Sequence, residues 1–229
     1  MDALIRWLQH LKEVQLYASI WAGAEPIEVL TDKLSVAFIG TVVFGLIGAW
    51  RLYSQFQKIS RDGAAGVSVE WTICFLAMFI TLLPYGLEKG SLAYSLQFFM
   101  RVPFYLLILP SLYRSAGGFS RREWMVVVTM TAALLGMLVD VAVVSITLLW
   151  VGVFIAAHQP WKIFWAKKTE GVDVGVLVVY FCSTGFWAIY GWVQIPKDWG
   201  VISWAVAYSV VYFLGIVVYV YRRPKVLVT

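Results

Sequence analysis

Trp187-Ala188-Ile189-Tyr190-Gly191-Trp192 closes a long apolar stretch, and its Tyr-Gly pair falls 105 residues after Tyr85-Gly86. Gly171 stands in the same relation to Gly66. Each copy has one layout: an apolar span runs into a polar, basic segment (Ser54 to Gly66, His158 to Gly171), and a second apolar span then ends on Tyr-Gly. Two similar helical units that face each other create a site between them, so the repeat directs attention to that interface.

Working outward, hydrophobic residues make up 61% of the 229-residue chain and charged residues 14%. The mean hydropathy is +0.79. A soluble domain of this size has no use for such a balance, and the composition reads as an integral membrane protein. The apolar runs are about 17 to 23 residues long, enough for helices to cross roughly 30 Å of hydrocarbon. Spans are expected near residues 34–53, 67–87, 91–113, 124–139, 141–158, 172–193 and 201–221. Asp140 alone interrupts the charge-free run from Met125 to Ala157. As one helix that run would be about 50 Å long, so two short spans joined by a tight turn are expected there.

The net charge of +5 does not point to nucleic acid, because the cations fall in loops. Lys58 and Arg61, then Arg114, Arg121 and Arg122, then Lys167 and Lys168, and finally Arg222, Arg223 and Lys225 follow alternate spans. The positive-inside rule therefore places the amino terminus outside and the carboxyl terminus inside. Within the amino-terminal segment 1–33, Met1 to Ile20 carries charges at Asp2, Arg6, Lys12 and Glu13 through its apolar positions, unlike a cleavable signal. Leu4, Trp7, Leu8, Leu11 and Ala18 fall at helical spacing, which predicts an interfacial amphipathic helix or a helix that docks on a partner. Cys74 and Cys182 lie within spans and read as small apolar residues, with no disulfide and no metal site expected.

The expected architecture is all-α: seven transmembrane helices arranged 3+1+3 as parallel triple-helix repeats, plus the amino-terminal amphipathic helix. Residues 34–113 form the first unit, 114–140 the linker helix, 141–223 the second unit and 224–229 a tail. The linker follows from topology, since two three-helix units of the same orientation need one crossing between them.

The chain here resembles the PQ-loop and SWEET-like superfamily of membrane proteins. The carriers of the resemblance are His158-Gln159-Pro160-Trp161-Lys162, Lys167-Lys168-Thr169-Glu170-Gly171 and the closing Tyr190-Gly191. In that family a Pro-Gln pair ends the first helix of each unit, a basic loop follows, and the second helix ends near Tyr-Gly. Here the second unit carries Gln159-Pro160 in reversed order, and the first has Ser54-Gln55 with no proline. Sugar-carrying members use asparagines near mid-bundle, and this chain contains none. The resemblance implies a carrier fold and leaves the substrate open.

Arg101 lies near the centre of its span. It reads either as an anion-binding group facing a cavity or as half of an internal ion pair, with Glu70 the first candidate partner. Gln97 precedes it by one helical turn. Pro103 follows it, and Pro84, Pro110 and Pro160 add further breaks; Pro84, Pro103 and Pro160 are the expected hinges. His158 and Gln159 sit at a span end, where His158 is either a titrating group or a helix cap. Among the 12 Trp, 12 Tyr and 14 Phe, most suit interfacial belts. Trp187, Tyr180, Trp204, Tyr208 and Tyr212 lie deeper, to stack on a flat ligand or to pack.

The substrate pathway expected from sequence is Gln97, Arg101, His158, Gln159, Trp187 and Tyr190. No catalytic motif, metal-ligand set or cofactor signature is present, so no enzyme, cofactor or metal is expected. The leading reading is a carrier of a small polar metabolite, with Arg101 suiting an anionic one, that works by alternating access. The alternative is a transport-inactive accessory subunit of a larger membrane complex that binds partner helices, lipids or pigments. Expected partners are membrane lipids and either a substrate or membrane proteins, as a homo-oligomer or complex subunit. The absence of asparagine fits a bacterial inner membrane.

Overall fold

In the computed structural model, residues 33–62, 68–166, 174–194 and 197–222 are described. Among them the chain forms seven α-helices and one 3-10 turn, with no strand. The helices are α1 (Lys33–Asp62), α2 (Val69–Lys89), α3 (Leu92–Ala116), α4 (Arg121–Leu135), α5 (Val141–Ala166), α6 (Val174–Val193) and α7 (Trp199–Arg222). Four carry segments long and apolar enough to cross a membrane: Val36–Arg61, Val69–Lys89, Leu92–Ala116 and Trp199–Tyr221. Val141–Ala157 and Leu177–Val193 are shorter apolar segments.

Local signals explain the boundaries. Ser68 caps α2 by accepting from the Trp71 amide at 3.2 Å. Gly90 ends the same helix in the left-handed region, at φ 60°, a conformation that costs glycine little. Ser120 and Glu123 form a reciprocal capping box that starts α4, satisfying amides that would otherwise lack partners. Asp140 breaks the long apolar run: its carboxylate accepts from the Val143 amide at 2.8 Å and starts α5.

Three boundaries differ from the sequence expectation. Helix α1 continues to Asp62, so the first half of the polar segment from Ser54 is helical. The stretch Ser54-Gln55-Phe56-Gln57-Lys58 has neither Gly nor Pro, and long polar side chains propagate a helix well. Helix α5 runs through His158, Gln159 and Pro160 to Ala166 rather than ending near 158. At the fourth expected span, α4 has 15 residues, about 22 Å of rise. It stops short of 139, giving way to the 3-10 turn Gly136–Leu138, and it buries no residue.

Helix α1 packs against α3 and α6, α2 against α3, α4 and α5, and α7 against α5 and α6. The centre of this assembly holds Tyr85, Tyr94, Tyr105 and Tyr190, each 1% exposed. Outward faces are apolar as well: Phe154 is 72% exposed and Trp50 67%. Large apolar side chains facing outward at this density suit lipid rather than water.

Candidate functional site

A cavity opens among α2, α3, α5, α6 and α7; about 550 Å³ within its outline is free of atoms, open solvent included, and about 40 Å³ of it can hold the centres of water-sized spheres, room for a few waters. Its lining includes Gln97 and Arg101 from α3, Tyr180 and Trp187 from α6, and Trp204 and Tyr208 from α7. Arg101 is the only charged residue among the lining residues.

Arg101 is 5% exposed. Its Nε donates to Gln97 Oε1 at 3.0 Å, and Gln97 Nε2 donates in turn to the Thr41 carbonyl of α1 at 3.2 Å. The guanidinium lies 4.8 Å from the Phe79 ring centroid and 6.0 Å from that of Tyr180. Glycines on α1 make the approach feasible. A Cβ at Gly48 would lie 2.7 Å from Arg101 Nη2, and one at Gly45 would lie 2.5 Å from Gln97 Nε2.

The sequence offered Glu70 as an ion partner for Arg101, but Glu70 pairs with Arg122 at 3.3 Å and accepts from the Ser68 hydroxyl at 2.8 Å. No carboxylate among the described residues lies within ion-pair distance of Arg101. An unpaired cation at membrane depth costs about 2.5–3.5 kcal/mol. Ring contacts return about 0.5–2 kcal/mol when desolvated, leaving a deficit that a bound anion would relieve.

Two polar atoms of lining residues are orphaned. Trp204 Nε1 and Tyr208 Oη are buried without a hydrogen-bond partner, although both residues line the cavity. The Tyr208 hydroxyl fits against α5 where Gly152 has no side chain. Leaving such donors unpaired costs about 1–3 kcal/mol each.

At the end where α2 turns into α3 and α6 into α7, the structure is closed by a crossed pair of tyrosines. Tyr85 donates to the Asp198 carboxylate at 2.7 Å, joined by Tyr94 at 3.1 Å. Asp198 also accepts from the Val201 amide at 3.1 Å, so it caps α7. Tyr190 hydrogen-bonds the hydroxyl of Ser91, which stands at the N-cap of α3. Each Tyr of the two Tyr-Gly pairs thus reaches the cap of the other half's following helix.

The glycines serve the same corner. A Cβ on Gly86 would lie 2.9 Å from the Ser91 carbonyl oxygen, and one on Gly191 would lie 3.3 Å from that of Asp198. The backbone of each corner closes alike, with the Ser91 amide on Gly86 O at 2.8 Å and the Asp198 amide on Gly191 O at 3.1 Å.

Of the residues expected in the pathway, Gln97, Arg101 and Trp187 line the cavity together. Tyr190 packs edge-on against Trp187 and Tyr94 in the closed corner. His158, Gln159 and Pro160 lie along the α5 backbone, and their side chains fall outside the described residues. So do residues 1–32, with the amphipathic segment. Pro84 is inside α2 and Pro103 inside α3. Sequence reasoning missed Ser91 and Asp198. Both are capping residue types a few positions after Tyr-Gly and just before an apolar run, and that was the available signal.

The chain matches no family model, no curated protein and no solved structure.

Proposed function

We propose that this protein is a membrane carrier, not an enzyme, for a small polar anion, and that it works by alternating access between two triple-helix units. The observation that carries the reading is Arg101, a buried cation without a carboxylate partner among the described residues, in a cavity between the halves. The helix contacts support two units. The α1–α3, α2–α3 and α1–α6 contacts have counterparts in α5–α7, α6–α7 and α5–α2.

The cavity lining supports them too. Phe75, Phe79 and Leu82 of α2 answer to Tyr180, Thr184 and Trp187 of α6 in the same 105-residue relation as the Tyr-Gly pairs. In this reading the chain is a seven-span relative of the PQ-loop and SWEET-like superfamily, with its amino terminus outside a bacterial inner membrane. The crossed tyrosines form the outer closure. Pro84 and Pro103 let α2 and α3 bend, because each removes a helical hydrogen bond. His158 and Gln159 belong to the inner end of the pathway.

Reconstitution into liposomes tests this. Permanently ionised small solutes such as sulfonates and sugar phosphates should exchange across the bilayer, and Arg101→Gln should abolish exchange while the protein remains folded. Folded protein that moves none of them would hand the assignment to the accessory-subunit reading.

A further inference from the structure

We infer that the cavity takes a small monovalent anion of about three to five heavy atoms, of the class of nitrate or a short sulfonate, held by Arg101 with the Ser183 hydroxyl as a second contact. The inference rests on the proposed reading of Arg101 as an anion site. To that reading it adds a size limit, a charge limit and a residue.

The size limit comes from what the rings leave over. Eight of the sixteen lining residues are aromatic, and they pack directly on one another, Tyr94 on Trp187 at 5.2 Å and Tyr180 on Tyr212 at 5.3 Å. The remaining space, about 40 Å³ for the centres of water-sized spheres, holds a few waters. A water takes up about 30 Å³ of liquid, so a few of them match the bulk of about three to five heavy atoms.

The charge limit comes from the polar inventory. Arg101 is the only charged lining residue, and its one hydrogen bond among the described residues uses Nε. The donors on Nη1 and Nη2 are left over, in a fork that matches two oxygens of one anionic group. One guanidinium neutralises one negative charge. A second charge on the ligand would be buried without a counter-ion among the lining residues, which is costly.

Ser183 is 3% exposed and lines the same cavity. It stands on the cavity face of α6, one turn from Tyr180, whose ring is 6.0 Å from the guanidinium, and one turn from Trp187. The unpartnered polar atoms that are fully shut away among the described residues belong to Tyr105, Trp204 and Tyr208. The Ser183 hydroxyl and the Arg101 Nη atoms are not among them, and both residues border the open space. In the 105-residue relation Ser183 answers to Met78, another lining residue, so the second half offers a small hydroxyl where the first offers a bulky thioether.

The test is calorimetric titration of purified protein in phosphatidylcholine nanodiscs, with gluconate as a background anion too large for the site and methanesulfonate as the reference probe. Benzenesulfonate carries the same head group on a larger body, and sulfate has similar bulk with a second charge. Methanesulfonate should bind at least about 10-fold tighter than either, and nitrate should compete with it. Arg101→Gln should abolish its binding. Ser183→Ala should weaken it at least about 3-fold through one lost hydrogen bond, and Ser183→Met, which copies the first half, should block it with Arg101 still in place. Unchanged cooperative unfolding of Ser183→Ala shows that the fold survives.

Equal affinity for methanesulfonate and benzenesulfonate, equal affinity for methanesulfonate and sulfate, or no effect of either Ser183 substitution would overturn the inference. Liposome flux separates it from the carrier reading. Methanesulfonate that binds at Arg101 without crossing the bilayer sinks the carrier and leaves the ligand class standing, while flux of sugar phosphates with no binding of methanesulfonate does the reverse.

Discussion

Asp198 and Arg101 are buried to nearly the same degree, 8% and 5% exposed, yet they live in opposite circumstances. Asp198 makes no ion pair among the described residues: its neighbour Lys197 turns onto the Trp192 ring at 3.6 Å. Two tyrosine hydroxyls and a backbone amide nevertheless satisfy its oxygens. Arg101 has one hydrogen bond, two ring faces and, among the described residues, no carboxylate. A buried charge whose partners are all present fixes a joint between helices. One whose partners are incomplete is, in the proposed reading, a site for the missing group.

The sharpest way to break this contrast is to remove each charge and read stability. Asp198→Ala leaves two buried hydroxyls without an acceptor and uncaps α7, so it should destabilise the protein by about 3–5 kcal/mol, read as a large fall in unfolding temperature. Arg101→Gln should move in the other direction. Removing an unpaired cation from membrane depth should leave stability unchanged or raise it by up to about 2 kcal/mol, while anion binding disappears. If both substitutions destabilise alike, the two residues are both structural and the contrast fails.

The crossed tyrosines refine the same comparison. Tyr85→Phe removes a hydrogen bond to a carboxylate and should cost about 1.5–3 kcal/mol, whereas Tyr190→Phe removes one to a neutral hydroxyl, about 0.5–1.5 kcal/mol. Denaturant titration of the pair would show whether the two halves are held as unequally as this. The smallest effect belongs to the surface. Arg122, with its side chain 81% exposed, pairs with Glu70, and Arg122→Ala should change stability by less than about 1 kcal/mol.

Much of this contrast was legible before the structure, and the illegible parts have physical reasons. Arg101 stood out because a charge inside an apolar run has few innocent explanations, and Tyr85-Gly86 and Tyr190-Gly191 stood out because they recur. The function of those pairs did not show, since a tyrosine's partner lies across the bundle: Tyr85 meets Asp198 only in three dimensions. Asp198, beside Lys197 at a span end, reads in sequence as an ordinary loop charge.

Gly45, Gly48 and Gly152 were equally silent. A glycine in an apolar helix carries no sign of which side chain needs its missing Cβ, and here the answers are Gln97, Arg101 and Tyr208. Helix ends at Asp62 and Ala166 were underestimated because polar residues serve both a loop and a helix leaving the membrane. Asp140 succeeded as a boundary because its short carboxylate is a natural cap for the amides that follow.

The most direct measurement is paired thermal unfolding of the wild type and Arg101→Gln in lipid nanodiscs, each with and without a saturating small sulfonate such as methanesulfonate. The expected result is that Arg101→Gln unfolds at or above the ligand-free wild-type temperature and ignores the sulfonate, while the wild type gains about 2–3 kcal/mol at roughly 100 times its Kd. An Arg101→Gln protein that unfolds below the wild type, together with a wild type that the sulfonate does not stabilise, would contradict it and make Arg101 a structural residue like Asp198.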